Sequence, residues 1–443
     1  MAVILRSNMP YRGAIADLPP INAPMPADAA FYADAVNDLY ITAATRGADP
    51  ATVFDFSAMR ERYLRNAAGG YTLAAAGASG RAEYDATGQR IGMLVEGGNG
   101  QAIVAAQRQD LTAGAATGLT VTGGAVPANA WDRWFTLTPA GDAAHDLALS
   151  SGTAIVANNR RTFAIELKTA GHRYVQLSSG TGGDATDYAN FDLVTKTVTA
   201  QGAGAMYAAV LPTQEGAICY IQYQFATSVV DTPTVSIIAS GTAGKQATAT
   251  AATVGAILAR LPKLQSKSAG DAPRVPPQSP RPGATASVMA DRLNLATGLR
   301  TADFTILLRA RNAPWVNAFT PALFALGVGQ SSADGVSVRV FTGGTVGIVS
   351  RTAGTATVVT TFSATLPAGA TTVMAFAKQG NTLRVVLGAE TYQGDIPSIA
   401  GTQPFILSSP VETEGFDGHL QRAIGWSHGK TLAELQALVA GGL

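Results

Sequence analysis

The stretch Leu261–Gly283, LPKLQSKSAGDAPRVPPQSPRPG, divides the 443-residue chain. It places Pro262, Pro273, Pro276, Pro277, Pro280 and Pro282 among Lys, Ser, Gln, Arg and Gly. Proline lacks the N–H that a sheet ladder needs and drives the preceding residue into an extended conformation. Neither a helix nor a sheet interior tolerates such a run, so the stretch reads as a semi-rigid, polyproline-like spacer. A β-rich body is expected on each side of it.

The composition agrees with that expectation. Hydrophobic residues make up 47% of the chain, drawn largely from Ala and Val, beside 48 Gly and many Thr. This mixture suits short strands joined by tight turns. Charged residues are only 14% and the net charge is +1, so nothing points to electrostatic capture of nucleic acid or of an anionic membrane. The apolar run at the N-terminus, MAVILRSN, is too short for the core of a secretion signal, and no stretch reaches the ~20 apolar residues of a membrane span. Folding in a cytoplasm is expected. Cys219 is the single cysteine and lies in a strand-like run, which reads as a small buried hydrophobe rather than a reactive thiol.

Along the chain, prolines 10, 19, 20, 24 and 26 make the start extended and irregular. Residues 1–52 therefore read either as an arm that docks on another subunit or as a disordered tail, with a short helix over Asp28–Tyr40. From Val53 the texture becomes strand and turn. In Asp85-Ala-Thr-Gly88 the Asp can cap a turn and the Gly supplies positive φ, after which Ile91, Met93 and Val95 alternate as a half-buried strand. Residues 117–262 carry further strand-length runs, Phe163–Lys168, Tyr174–Leu177, Cys219–Phe225 and Val235–Ile238, separated by turn clusters. No helical period competes, which predicts an antiparallel sandwich. Beyond the prolines, Phe304, Ile306 and Leu308 alternate, as do Val336, Val338 and Val340, and Val373, Ala375 and Ala377. Thr431-Leu-Ala-Glu434 is a capping box that opens a short terminal helix, and Trp426 ends the preceding strand as a core residue.

Several of these runs resemble virion proteins of tailed phages and prophages. Asp55-Phe-Ser57, Arg81…Tyr84-Asp85…Gly88 and Gly92-Met-Leu-Val-Glu-Gly97 are similar to a module of that family, with Ala58 and Gly98-Asn99-Gly100 departing from its pattern. Arg173-Tyr-Val-Gln-Leu177…Tyr188-Ala-Asn-Phe-Asp-Leu193…Thr197-Val198 resembles its carbohydrate-binding-module-like jelly roll, with Lys196 where a turn glycine is usual. Gly415–Trp426 with the closing helix resembles the concanavalin A-like (laminin-G-like) lectin fold. The resemblance implies a mainly β, multi-domain protein: a docking arm (1–52), a small connecting module (53–116), a jelly roll (117–262), a linker (263–283) and a lectin-like domain (284–443). It also implies a virion structural protein, a tail fibre, tail-tip or spike component that binds a host surface glycan without turnover. Its partners would be other virion proteins through the arm, host polysaccharide, and further copies of itself, a trimer being the common fibre state; nucleic acid and membrane insertion are not expected. A head fibre or decoration protein, and a capsular depolymerase, are the alternative readings.

Candidate site residues follow from sugar chemistry. An exposed aromatic ring stacks on a pyranose face, and Trp131, Trp134, Tyr188, Trp315 and Tyr392 each sit in or beside a turn; each can equally plug the end of a sandwich. Glu412 and Glu414 alternate onto one strand face as a glycosidase pair would, although Pro410 and Gly415 suit a solvated loop. No cofactor is expected. Ca²⁺ is the one ion the loops leave open, through Asp184, Asp187 and Asp192 or through Glu412, Glu414 and Asp417, against the plainer reading of turn-capping carboxylates. Four histidines without a paired spacing give no zinc site.

Overall fold

In the computed structural model, which describes residues 25–442 apart from 58–61, 75–80, 96–102, 104, 126–132, 181–182, 252, 268–291, 313–321, 328–334, 342–343, 353–354, 367–368, 397–403 and 408–417, regular structure is almost all antiparallel strand. The protein is mainly β and multi-domain, built as two sandwiches. No helix among the described residues is long and apolar enough to cross a membrane.

The first sandwich, here the insert sandwich, has two six-stranded sheets. One runs Leu119–Gly123, Phe135–Pro139, Ala256–Lys267, Arg160–Ala170, Ala217–Gln224, Tyr207–Pro212. The other runs Thr197–Gln201, Tyr188–Asp192, Tyr174–Ser178, Thr234–Ile237, His145–Ala148, Ala115–Thr117. Strand alternation turns Phe163, Ile165, Leu167, Cys219 and Ile221 of the first sheet against Val175, Leu177, Phe191, Val235 and Ile237 of the second. Burying each large side chain of this set contributes about 1.5–3 kcal/mol, which is what holds the two sheets face to face. Cys219 is part of this core, and burial pushes its thiol far above the ordinary range.

The second, split sandwich draws on both ends of the described chain. Its larger sheet follows the path Arg46–Gly47, Leu39–Thr42, Phe31–Asp34, Gly418–Trp426, Phe304–Asn312, Thr371–Gln379, Thr382–Leu387, Glu390–Asp395. Arg90–Val95 also joins Gly418–Trp426, at Gly418–Leu420, and Ala82–Tyr84 pairs with Arg90–Val95. The facing seven-stranded sheet runs Thr355–Thr365, Thr345–Thr352, Gly335–Val340, Ala322–Gly327, Pro404–Ile406, Arg292–Leu295, Phe54–Ser57. Phe304, Ile306, Leu308, Val336, Val338 and Val340 fill the core as their alternation predicts. Thr431 Oγ1 accepts from the Glu434 amide and Glu434 accepts from the Thr431 amide, so the capping box forms and opens the Leu432–Gly441 helix. That helix packs over Trp426, Ala375 and Ala377 on the outer side of the larger sheet, while Met374 and Phe376 take the inter-sheet core.

Three expectations need correction. Asp28–Tyr40 is not a helix: Phe31–Asp34 and Leu39–Thr42 form a hairpin, and Phe31–Asp34 also pairs with Arg422–Gly425. Asp34 Oδ1 accepts the amides of Val36 and Asn37, and Asp38 adopts φ +58, so a side-chain-capped turn displaces the helical alternative. Residues 31–57 and 82–95 supply strands to the split sandwich instead of forming an arm followed by a separate connecting module, of which Arg62–Arg65 and Tyr71–Ala74 alone make a hairpin of their own; residues 1–24 lie outside the described residues. The third correction concerns the proline-rich stretch. Leu261–Lys267 continues the Ala256–Lys267 strand, and Pro262 is accommodated at a bulge. There the pairing steps from Glu166↔Arg260 to Ala164↔Lys263 and Leu261 takes φ +56. Residues 268–283, the rest of the expected linker, lie outside the described residues.

Candidate functional site

The second sheet of the insert sandwich turns its apolar positions inward, which leaves the alternate positions on its outer face. Most of those positions are polar, Ala148 and Ala200 excepted. Asp146 pairs with Ser236, Ser236 with Gln176, and Gln176 with Asn190, giving a row of four polar side chains across four neighbouring strands. The adjacent rung carries Thr234, Ser178 and Tyr188. Gln176, Ser178, Asn190 and Ser236 are all almost fully buried. Burying amides and hydroxyls in this way costs free energy unless they are hydrogen-bonded.

Most of the partners come from the segment Ser240–Gln246, which lies over the row. Gln176 Nε2 donates to Asn190 Oδ1 and to Gly244 O, each at 2.8 Å. Asn190 Nδ2 donates to Gly241 O (3.1 Å) and Ala243 O (2.8 Å). The Gln246 amide donates to Gln176 Oε1 (2.6 Å), and Gln246 Nε2 to Asp146 Oδ2 (3.1 Å). Among the described residues Ser178 Oγ has no hydrogen-bond partner, and Ser236 Oγ lies near Asp146 without well-formed hydrogen-bond geometry. Burial raises the Asp146 carboxyl, opposed by Ser236 and Gln246.

At one end of the row Lys245 latches the segment down. Its Nζ donates to Ser179 Oγ (3.0 Å), Gly180 O (3.1 Å) and Asp184 O (2.8 Å). Burial lowers the ammonium, and the charges of Asp187, Asp184 and Asp231 oppose that. Asp184 and Asp187, two of the candidate Ca²⁺ ligands, serve this corner as turn caps. Asp184 Oδ1 accepts from the Thr186 amide and hydroxyl, and Asp187 Oδ2 accepts from the Asp184 amide. Asp192 is committed to Arg173 and to the amides of Val194 and Thr195. Among the described residues no group of three or more His, Cys, Asp or Glu is placed to hold a metal.

Of the aromatic candidates, Tyr188 lies beside the row, half-buried, with its ring against the backbone of Gly202. Trp134 is elsewhere, on the opposite sheet. Its Nε1 donates to Glu215 (3.0 Å) and the Arg260 guanidinium lies 4.1 Å from the ring centroid. That arrangement holds the indole in a structural seam. Tyr392 is half-buried against the core of the split sandwich. The structure thus brings Tyr188, Asp184 and Asp187 together and places Trp134 and Tyr392 apart from them. Trp131, Trp315, Glu412, Glu414 and Asp417 lie outside the described residues.

Asp146, Gln176, Asn190 and Ser236 were missed by the sequence reading. The available signal was parity: Gln176 and Asn190 sit between inward-facing Val175, Leu177, Ala189 and Phe191, where an exposed face more often carries charge or Thr.

Comparisons with known proteins give limited company. No family model matches the chain, and no curated protein does. Among solved structures it is similar to the CBM40 of the Ruminococcus gnavus IT-sialidase, bound to α2,3-sialyllactose, at 15% identity and TM-score 0.27, over 32% of this chain and 85% of that one. Domain 4 of AbnA, a GH43 extracellular arabinanase from Geobacillus stearothermophilus, in complex with arabinotriose, matches at 14% identity and TM-score 0.27, over 35% and 77%. The NanB sialidase of Streptococcus pneumoniae matches at 12% and 0.26, over 32% and 24%. Likeness of this size carries no functional argument.

Proposed function

We propose that the protein binds a glycan without turning it over, and that it does so as a structural component of a phage particle, a tail fibre, tail tip or spike that meets the host surface. The observation that carries the binding part is the row Asp146–Ser236–Gln176–Asn190, an uninterrupted set of amide, hydroxyl and carboxylate groups on one sheet face. Its amides and hydroxyl both donate and accept and its carboxylate accepts, which together is what ring hydroxyls require. The particle part is supported by the order of sequence motifs that resemble tailed-phage virion proteins. Weak sites of this type gain strength by repetition, because tethered copies see a high effective concentration.

The test is retention on an array of host surface polysaccharides displayed at high density, comparing the wild type with Asn190→Ala. A bidentate amide lost from a sugar site lowers affinity about tenfold or more, so retention should drop while the thermal transition persists. Absence of wild-type retention on every host polysaccharide would refute glycan binding. The purely architectural alternative, a head fibre or decoration protein, has one observation in its favour: the Ser240–Gln246 segment already occupies much of the row's hydrogen-bonding capacity.

A further inference from the structure

The segment over the row is built differently from the rest of the sandwich. None of the residues Ser240–Gln246 is buried, and the segment contributes nothing to the apolar core. Among the described residues, hydrogen bonds hold it in place. Three carbonyls, of Gly241, Ala243 and Gly244, and the Gln246 amide meet the row. Thr199 Oγ1 donates to Gly241 O (2.8 Å) at one end, and the Lys245 latch closes the other. Gln246 pays a conformational penalty to lie there, with φ +48 in the left-handed region that a non-glycine residue seldom adopts. Among the described residues Ser178 Oγ has no partner beside the row.

We propose that Ser240–Gln246 is an internal stand-in for a sugar: its carbonyls and amide occupy the positions that adjacent hydroxyls of a neutral hexose take when the segment lifts. The inference rests on the glycan-binding reading and adds its regulation and ligand class. Neutral sugar follows from the row itself, whose one charged member is the anionic Asp146, so an acidic sugar meets repulsion there and a hydroxyl does not. The apparent affinity of a covered site is the intrinsic affinity scaled by the fraction of molecules uncovered. Contact that lifts the segment on one subunit of a particle would therefore convert a weak surface into a strong one.

The experiment uses the full chain and immobilised glucan, mannan and galactan as probes. Lys245→Ala releases the latch without touching the row. It should raise retention about tenfold over wild type and speed hydrogen exchange at the Gln246 amide by a similar factor, one hydrogen-bonded anchor having been lost. Thr199→Ala, at the opposite end, provides the same readout should Lys245→Ala fail to fold. Gln176→Ala should speed exchange yet lower retention, since it loosens the cover and damages the row together. Faster exchange with wild-type retention overturns the stand-in and leaves glycan binding intact. Retention by none of the proteins on any of the polymers overturns both.

Discussion

Asp231 is fully buried in the insert sandwich beside Arg161, whose guanidinium lies 4.5 Å from the Phe225 ring centroid and donates to the carbonyls of Asn159 and Ile155. Tyr223 donates its hydroxyl to Asp231 Oδ2 at 2.8 Å. Burial pushes the Asp231 carboxyl up to about 7, against the pull of Tyr223 and Arg161. Between its ordinary value of 3.8 and about 7 the folded protein holds a proton that the unfolded chain has released. Stability contributed by this group therefore falls as pH rises through that window and is fully lost above it. The effect is on the order of a few kcal/mol, so Asp231→Asn should narrow the difference in Tm between pH 5 and pH 8 in calorimetry. An unchanged difference would refute the assignment. Other residues at this scale were legible in advance. Asp85 caps its turn through Oδ1 to Thr87 and Gln89, with Gly88 at φ +78, and Lys196 takes φ +55 where a glycine would be at ease.

Among elements, the Arg160–Ala170 strand bears the contact between the insert sandwich and the hairpin of Arg62–Arg65 and Tyr71–Ala74. Glu166 accepts from Arg260 Nε (2.9 Å), from Thr213 Oγ1 (2.6 Å) and from the hydroxyl of Tyr71, which belongs to the Tyr71–Ala74 strand of a separate hairpin. Arg260 also reaches Glu215 and the carbonyl of Gly69, and Trp134 lies against it. Burial alone would raise the Glu166 carboxyl, but Arg260, Thr213 and Arg65 together hold it below its ordinary value. Glu166→Gln leaves Arg260 with Glu215 as its remaining carboxylate but unmakes the buried hydrogen bonds around residue 166, so unfolding stability should fall by about 1–3 kcal/mol in denaturant titration. A loss under about 1 kcal/mol would mean that the pair is solvated in practice. Elements were partly legible. Apolar alternation and the capping box identified strands and the terminal helix, because both are encoded within a few residues. The Pro262 bulge was not, since what makes proline tolerable there is the register of the neighbouring strand.

At the scale of the molecule, the insert sandwich interrupts the split one. Among the described residues its strands, Ala115–Thr117 to Ala256–Lys267, pair only with one another, whereas Phe31–Asp34 pairs with Gly418–Trp426 and Phe54–Ser57 with Arg292–Leu295. A fragment spanning 103–267 should accordingly give a cooperative thermal transition by circular dichroism, and one spanning 292–442 should not, since it lacks the strands that complete both of its sheets. Cooperative melting of the second fragment would show those strands to be dispensable. Sequence reading found both bodies and their strand content but assigned the early strands to an arm, because partners so far apart leave no local trace in the residues. The polar row was hidden for a related reason: its members lie on four strands, and the segment that covers them reads as an ordinary turn-rich connection.

The interleaving also sets an order of events during translation. At ordinary elongation rates, on the order of tens of seconds separate the emergence of Phe31–Asp34 from that of its partner strand. Throughout that interval the insert sandwich can close on the nascent chain, while Phe31, Tyr32 and Phe54 await a surface to cover them. A premature stop just before Gly418 would leave Phe31–Asp34 and Arg90–Val95 each with only its hairpin partner and without the strand that joins them to the sheet. Truncated products should therefore be cleared or aggregate, so that the folded population carries both sandwiches complete.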